Sequence, residues 1–322
     1  MTQALLQMMA AGSPVVPIYV DDVFSTVTRS GTGASATITN NIDLSAKGGL
    51  VITKARSAAT GWRFTDTARG VQTSLDSSST AANATESTGL TAFTTTGYTV
   101  GADSDYNNST GPVTYADYTF RKALKFFDMV TGTTNGSGNI ALSHSLGVTP
   151  GMVILKSTAA LGSWIVYHTS LGTNPYLVMN ESGAASNAGL FSGVTATSFS
   201  ATNPWGLPNS NYVAYLFAHD TSADGIIQCG SLTTDGSGGA TVNHGWSAGV
   251  QFALVKCSST TGDWEMYDTA RTSGWSGSDA RLRANLSNAE DSVTRLSASG
   301  TSVTFAGLSN SATYIYMFIK AP

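Results

Sequence analysis

The side chains that most often carry chemistry are sparse in this sequence: four histidines, two cysteines and 20 acidic residues among 322. His144, His168, His219 and His244 are too far apart in sequence for any two to form a zinc pair, and Cys229 and Cys257 are 28 residues apart. There is no GxSxG elbow, no phosphate loop and no GxGxxG after a strand pattern. Glu86, Asp103, Asp105, Glu181 and Glu290-Asp291 are scattered over turn-rich stretches and make no paired-carboxylate signature. Calcium loops near Asp235 or Asp103–Asp105 lack a full ligand set. The expectation is a protein that is not an enzyme, with no cofactor and no metal.

Composition narrows the classes further. Charged residues are 11% of the chain against about 25% in an ordinary soluble domain. Ser and Thr fill roughly a quarter of it and glycine contributes 34 residues. With 41% hydrophobic residues this is not the signature of disorder. It suits many short strands joined by tight turns. The net charge is −4 and no window holds a Lys/Arg cluster, which argues against nucleic acid. No stretch reaches the ~18 apolar residues of a membrane helix, so no membrane insertion is expected. The first basic residue is Arg29, so a charged secretory leader is not expected, and two cysteines cannot make a disulfide framework.

The residues that recur decide the organisation. Leu50–Gly70, Met152–Gly172 and Ala253–Gly274 each run from an apolar stretch ending in lysine, through a small-residue turn, to a tryptophan and a short strand. Lys54, Lys156 and Lys256 are spaced by 102 and 100 residues, and Trp62, Trp164 and Trp264 keep the same spacing. Four residues after each tryptophan stands Asp66, His168 or Asp268, followed by Thr67, Thr169 or Thr269. Thr133–Gly138 (TTNGSG) matches Thr233–Gly238 (TTDGSG), and His144 matches His244. The N-G and D-G pairs favour a hairpin. Each copy closes on an alternating aromatic run, TYADYTF, YVAYLF or TYIYMF, the last reading as an inner strand buried on both faces. Repeats of this kind fix the reading before any motif does.

The expected fold is all-β: three tandem antiparallel β-sandwich (jelly-roll-like) modules over 20–123, 124–221 and 222–322. Residues 1–19 form a separate N-terminal arm. In it Thr2–Ala10 is the one helix candidate, with Leu5, Leu6, Met8 and Met9, before Pro14 and Pro17 impose an extended path. The repeated Trp62, Trp164 and Trp264 are expected core anchors, because tryptophan buries a large apolar area. The position of Asp66, His168 and Asp268 is expected to cap the turn that follows. Trp205, Trp246 and Trp275 are not repeated and sit in Gly/Ser/Pro-rich loops. They are expected either to contact a glycan or a neighbouring subunit, or to plug a sandwich end.

At LVITKARSAATGWRFTDTARG, GVTPGMVILK, SWIVYHTSLG and YVAYLFA the sequence resembles a module that recurs in tailed-bacteriophage virion proteins, often tail-fibre and other tail or adhesion-related proteins. The resemblance spans about residues 20–320 and marks a fold without transferring catalytic residues. The first copy departs from it at Thr65, where the others carry Tyr167 and Tyr267. It implies a virion structural protein assembled in the host cytoplasm, a tail or tail-fibre component partnered by other tail or connector proteins, and a head decoration or collar protein as the alternative. The arm would dock through Leu5, Leu6, Met8 and Met9 on another virion protein. The charge deficit suggests subunit contact, with a homo-oligomer, by default a trimer, and a host surface glycan as a further partner. A secreted carbohydrate-binding protein is the rival from another class.

Overall fold

The computed structural model describes residues 18–322 apart from Pro112 and Ser276. Leu5, Leu6, Met8 and Met9 of the expected anchoring helix lie outside the described residues.

The described chain is nearly all β, built from antiparallel sheets. One strand order recurs in each repeat. In the first, Phe24–Ser30, Thr114–Arg121, Gly49–Ala55 and Arg63–Asp66 lie side by side in that order. In the middle repeat the order is Phe127–Thr133, Asn211–Ala218, Pro150–Ser157 and Ile165–His168, extended by Pro175–Val178 and Ser186–Asn187. In the last it is Ile227–Thr233, Thr313–Lys320, Val250–Cys257 and Trp264–Asp268, extended by Asp279–Arg283 and Asp291–Val293. Each repeat adds a three-stranded sheet: Ala36–Thr39, Gly97–Val100 and Leu90–Thr94 in the first, Ile140–Ser143, Ser198–Ala201 and Phe191–Ser192 in the middle, and Ala240–Asn243, Ser302–Phe305 and Leu296–Ser299 in the last.

Period-two alternation explains how one strand serves two cores. Along Gly49–Ala55, Val51 packs with Leu90, Tyr98 and Val100 of the small sheet. Its neighbours Leu50 and Ile52 turn the other way, into a cluster shared by all three repeats. Met152 and Ile154 of the middle repeat and Phe252 and Leu254 of the last enter the same cluster. Phe120 marks its centre, with its ring 5.4 Å from Phe217 and 6.2 Å from Phe252. The three larger sheets therefore face one shared interior.

Two local expectations change. The TTNGSG and TTDGSG turns do not close hairpins: Phe127–Thr133 pairs with Asn211–Ala218, whereas Ile140–Ser143 pairs with Ser198–Ala201. The turns carry the chain from one sheet to the other. Asn135 and Asp235 organise them by accepting the backbone N–H of residues two and four further on at 2.8–2.9 Å, and Gly138 and Gly238 take the left-handed backbone. A short helix, Ser104–Asn107, was not signalled in the sequence; Asp103 caps it by accepting the Asp105 N–H. It delivers Tyr106 to the core of the first repeat, where the phenol meets Thr65 Oγ1 at 2.8 Å. A tyrosine from elsewhere in the chain thus fills in where Thr65 replaces the aromatic of the other copies.

Candidate interaction surface

The recurring residues meet between repeats. Lys54, Lys156 and Lys256 are buried on the inward face of their strands. Each ammonium donates to the carbonyl of the next residue, at 2.6–2.8 Å. Each also reaches a loop of another repeat: Lys54 donates to Ser287 O, Lys156 to Thr80 O and Lys256 to Ser182 O, all at 3.2 Å. Burial pulls all three ammonium groups down to about 8. Trp62, Trp164 and Trp264 are fully buried and follow the same rule. Their indole N–H groups donate to Arg283 and Leu286 carbonyls, to Asp76 and Ser79 carbonyls, and to the Val178 carbonyl.

Backbone bonds repeat the scheme. Glu290 N–H donates to Arg56 O, Asn83 N–H to Thr158 O, and Ala185 N–H to Ser258 O. In every set the first repeat leans on the last, the middle on the first, and the last on the middle. A row of modules joined end to end would form two such junctions. Here there are three, and the third closes a ring about a pseudo-threefold axis inside one chain, the arrangement of a closed heterologous contact.

The position read as a turn cap does more than cap. Asp66 Oδ1 accepts the Ala68 and Arg69 N–H groups, as expected, while its Oδ2 accepts Arg69 Nε at 2.6 Å and the Tyr215 hydroxyl at 2.8 Å. Asp268 repeats this with Arg271 and with Tyr118 at 2.9 Å. Both tyrosines are buried, and burial together with the carboxylate beside each raises them well above the usual phenol value. The third junction replaces the whole set. His168 stands for the aspartate, Leu171 for the arginine and Met317 for the tyrosine, the last because Met317 pairs with Leu254 as Tyr118 pairs with Ile52 and Tyr215 with Ile154. His168 Nδ1 accepts the Ser170 N–H at 3.2 Å, so Nε2 carries the proton and donates to Tyr316 O at 3.1 Å. Complete burial lowers this imidazole to about 4.

His144 and His244 occupy equivalent buried positions after the first strand of the small sheets. Each Nδ1 accepts the N–H two residues on, from Leu146 at 3.3 Å and Trp246 at 3.1 Å. Asn40 does the same in the first repeat, its Oδ1 accepting the Ile42 N–H at 3.2 Å. These side chains hold a turn.

The unrepeated tryptophans separate into two kinds. Trp246 and Trp275, expected either to make an external contact or to plug a sandwich end, are only 5% and 3% exposed. Trp246 packs on His244 with ring centroids 5.5 Å apart. Trp275 donates its indole N–H to Val250 O at 2.7 Å. A Gly/Ser-rich context signals irregular backbone, but an indole of this size still folds inward when the core beneath has room. Trp205 alone stays partly exposed, lining a surface groove of the middle repeat with Tyr176 and Glu181.

The ring junctions were missed in the sequence because spacing shows that positions are equivalent without showing that they touch. One signal was available: three lysines closing apolar runs on inner strands each carry three N–H donors, more than the neighbouring carbonyl of their own repeat satisfies.

Comparison with curated proteins yields no match. A family model described as a domain of unknown function (DUF7483) matches residues 20–322. This match takes in all three strand sets and every junction of the ring, and the chain belongs to that family.

Proposed function

We propose that the chain is a structural protein of a tailed-phage virion, a tail or tail-fibre component made of three sandwich modules and carried by its N-terminal arm. The observation that supports this most is the closed ring. Lysines, tryptophans and the Asp-Arg-Tyr sets are spent on holding the repeats together, which suits a rigid displayed body better than a catalytic one. The resemblance at the repeated motifs points the same way. The proposed unit in the virion is a homo-oligomer of such bodies, by default a trimer, because a chain with 11% charged residues suits subunit contact. The arm, through Leu5, Leu6, Met8 and Met9, is the proposed attachment to a tail or connector protein.

The test is binding of the full-length protein, and of a variant lacking residues 1–17, to purified virions, isolated tails and isolated heads. Binding to tails by the full-length protein, lost in a truncated form that keeps its circular dichroism, supports the reading. Binding to heads moves the protein to the decoration or collar role, and binding to neither contradicts a virion role.

One observation favours a second reading, a carbohydrate-binding protein. The groove beside Trp205 combines two aromatic residues, Trp205 and Tyr176, with polar residues, and the two readings coexist if the displayed body also contacts a surface glycan.

A further inference from the structure

The loop that carries Trp205 departs from its counterpart in the last repeat. In both, the segment after the central strand of the small sheet runs between two residues with left-handed backbone, Asn203 and Asn209 in the middle repeat and Gly307 and Ser311 in the last. The middle loop is two residues longer between these points and holds Pro204-Trp205, for which the last repeat has no equivalent aromatic.

The structure fixes the indole in place. Its Nε1–H donates to Ser163 O at 2.8 Å. Gly162 lies so close that a Cβ there would sit 3.0 Å from the indole Cδ1. The ring therefore packs against bare backbone on one side, and part of it remains exposed. Beside it, Tyr176, Glu181, Ser163, Ser186 and Val178 line a groove of about 330 Å³. That is at the lower end of the ~300–1,000 Å³ of small-ligand clefts. Leu161, next to the groove, is 73% exposed, one of the three large apolar side chains displayed among the described residues.

From this geometry we infer that the Trp205 groove is a saccharide subsite, seating one pyranose ring on the indole. A pyranose has one face of C–H bonds and a rim of hydroxyls. The C–H face matches an indole already held by its own hydrogen bond, which lowers the ordering cost of binding, and the rim meets the Glu181 carboxylate and the Ser163 and Ser186 hydroxyls. This inference rests on the second reading above and not on virion attachment, so either can fail alone.

The test is saturation-transfer NMR on the full-length protein with glucose, galactose, mannose, N-acetylglucosamine, maltose and cellobiose, and with tetramethylammonium as a cationic probe. The expected result is transfer to ring C–H protons of at least one sugar, abolished in Trp205→Ala and weakened at least threefold in Glu181→Gln. Glu181 is exposed, so its substitution leaves the fold intact and keeps the test decisive if Trp205→Ala unfolds. Transfer to none of the sugars, transfer unchanged in the foldable variants, or transfer to tetramethylammonium alone overturns the inference.

Discussion

The Tyr118 hydroxyl donates to Asp268 Oδ2 at 2.9 Å across 150 residues of chain, joining the first repeat to the last. Its counterpart, Tyr215 to Asp66, joins the middle repeat to the first. Both pairs are buried, and in each an arginine three residues after the aspartate neutralises the carboxylate. Removing one member of a buried charged set costs more than the set contributes, because its partner is left desolvated and alone. The junctions thus penalise any separation of the repeats.

The first prediction concerns cooperativity. Trp164 is buried between repeats, with its ring 4.9 Å from Phe64 and its N–H on the Asp76 and Ser79 carbonyls. Trp164→Ala is expected to cost about 3–5 kcal/mol, and Trp164→Phe about 1–2 kcal/mol through the lost donor. Because one core spans all three repeats, urea unfolding followed by circular dichroism should remain a single transition in both. A separate early transition confined to the middle repeat would contradict the shared core.

Acid should weaken the fold. His168 has a folded value of about 4 against about 6.5 when unfolded. Between these values the unfolded chain binds a proton that the folded chain does not, so stability falls as pH falls. The contribution of His168 is intact above about pH 6.5 and is lost progressively down to about pH 4, amounting to about 3 kcal/mol. His144, His219 and His244 are also lowered, chiefly by burial, and add slope of the same sign. Urea midpoints measured from pH 7.5 to pH 4.5 should fall steeply in the natural chain and less steeply in His168→Gln. Equal slopes would show that His168 is not buried at its junction.

Circular permutation should be tolerated. Ile18–Val20 and Lys320–Pro322 line one groove, while Thr221–Asp224 is an exposed connector between repeats. A chain lacking residues 1–17, with Pro322 linked to Ile18 and new ends opened within 221–224, keeps all three junctions. It should fold in the same oligomeric state as the parent and within about 2 kcal/mol of it, since exposed connectors accept new termini. Light scattering and urea unfolding check this, and an aggregated or unfolded product would count against the arrangement of the ends.

Much of the fold was legible because alternation and repetition are local. TYIYMFIK read as a strand buried on both faces, and it lies between Ile227–Thr233 and Val250–Cys257. The large size and regular recurrence of Trp62, Trp164 and Trp264 pointed to burial. What repeats contact across a distance was not legible, because Asp66 capping its own turn and Asp66 accepting from Tyr215 leave the same residue in the sequence. The change to His168 and Leu171 stands in the sequence, but the loss of the tyrosine does not: the runs YTF, YLF and YMF set Tyr316 beside Tyr118 and Tyr215, and only the pairing of Met317 with Leu254 shows that the hydroxyl is gone. Which of the two roles Trp246 and Trp275 would take was not legible for a different reason: glycine around an indole describes the backbone and not where the ring goes.

The central claim is that the first and last repeats touch within one chain. A double-mutant cycle of Tyr118→Phe and Asp268→Asn, measured by urea unfolding on protein shown to be monomeric by light scattering, tests it most directly. The closed ring predicts a coupling of about 1–3 kcal/mol between these two positions. Additive effects, with coupling under about 0.3 kcal/mol, would mean that the repeats form an open string and that the ring does not close.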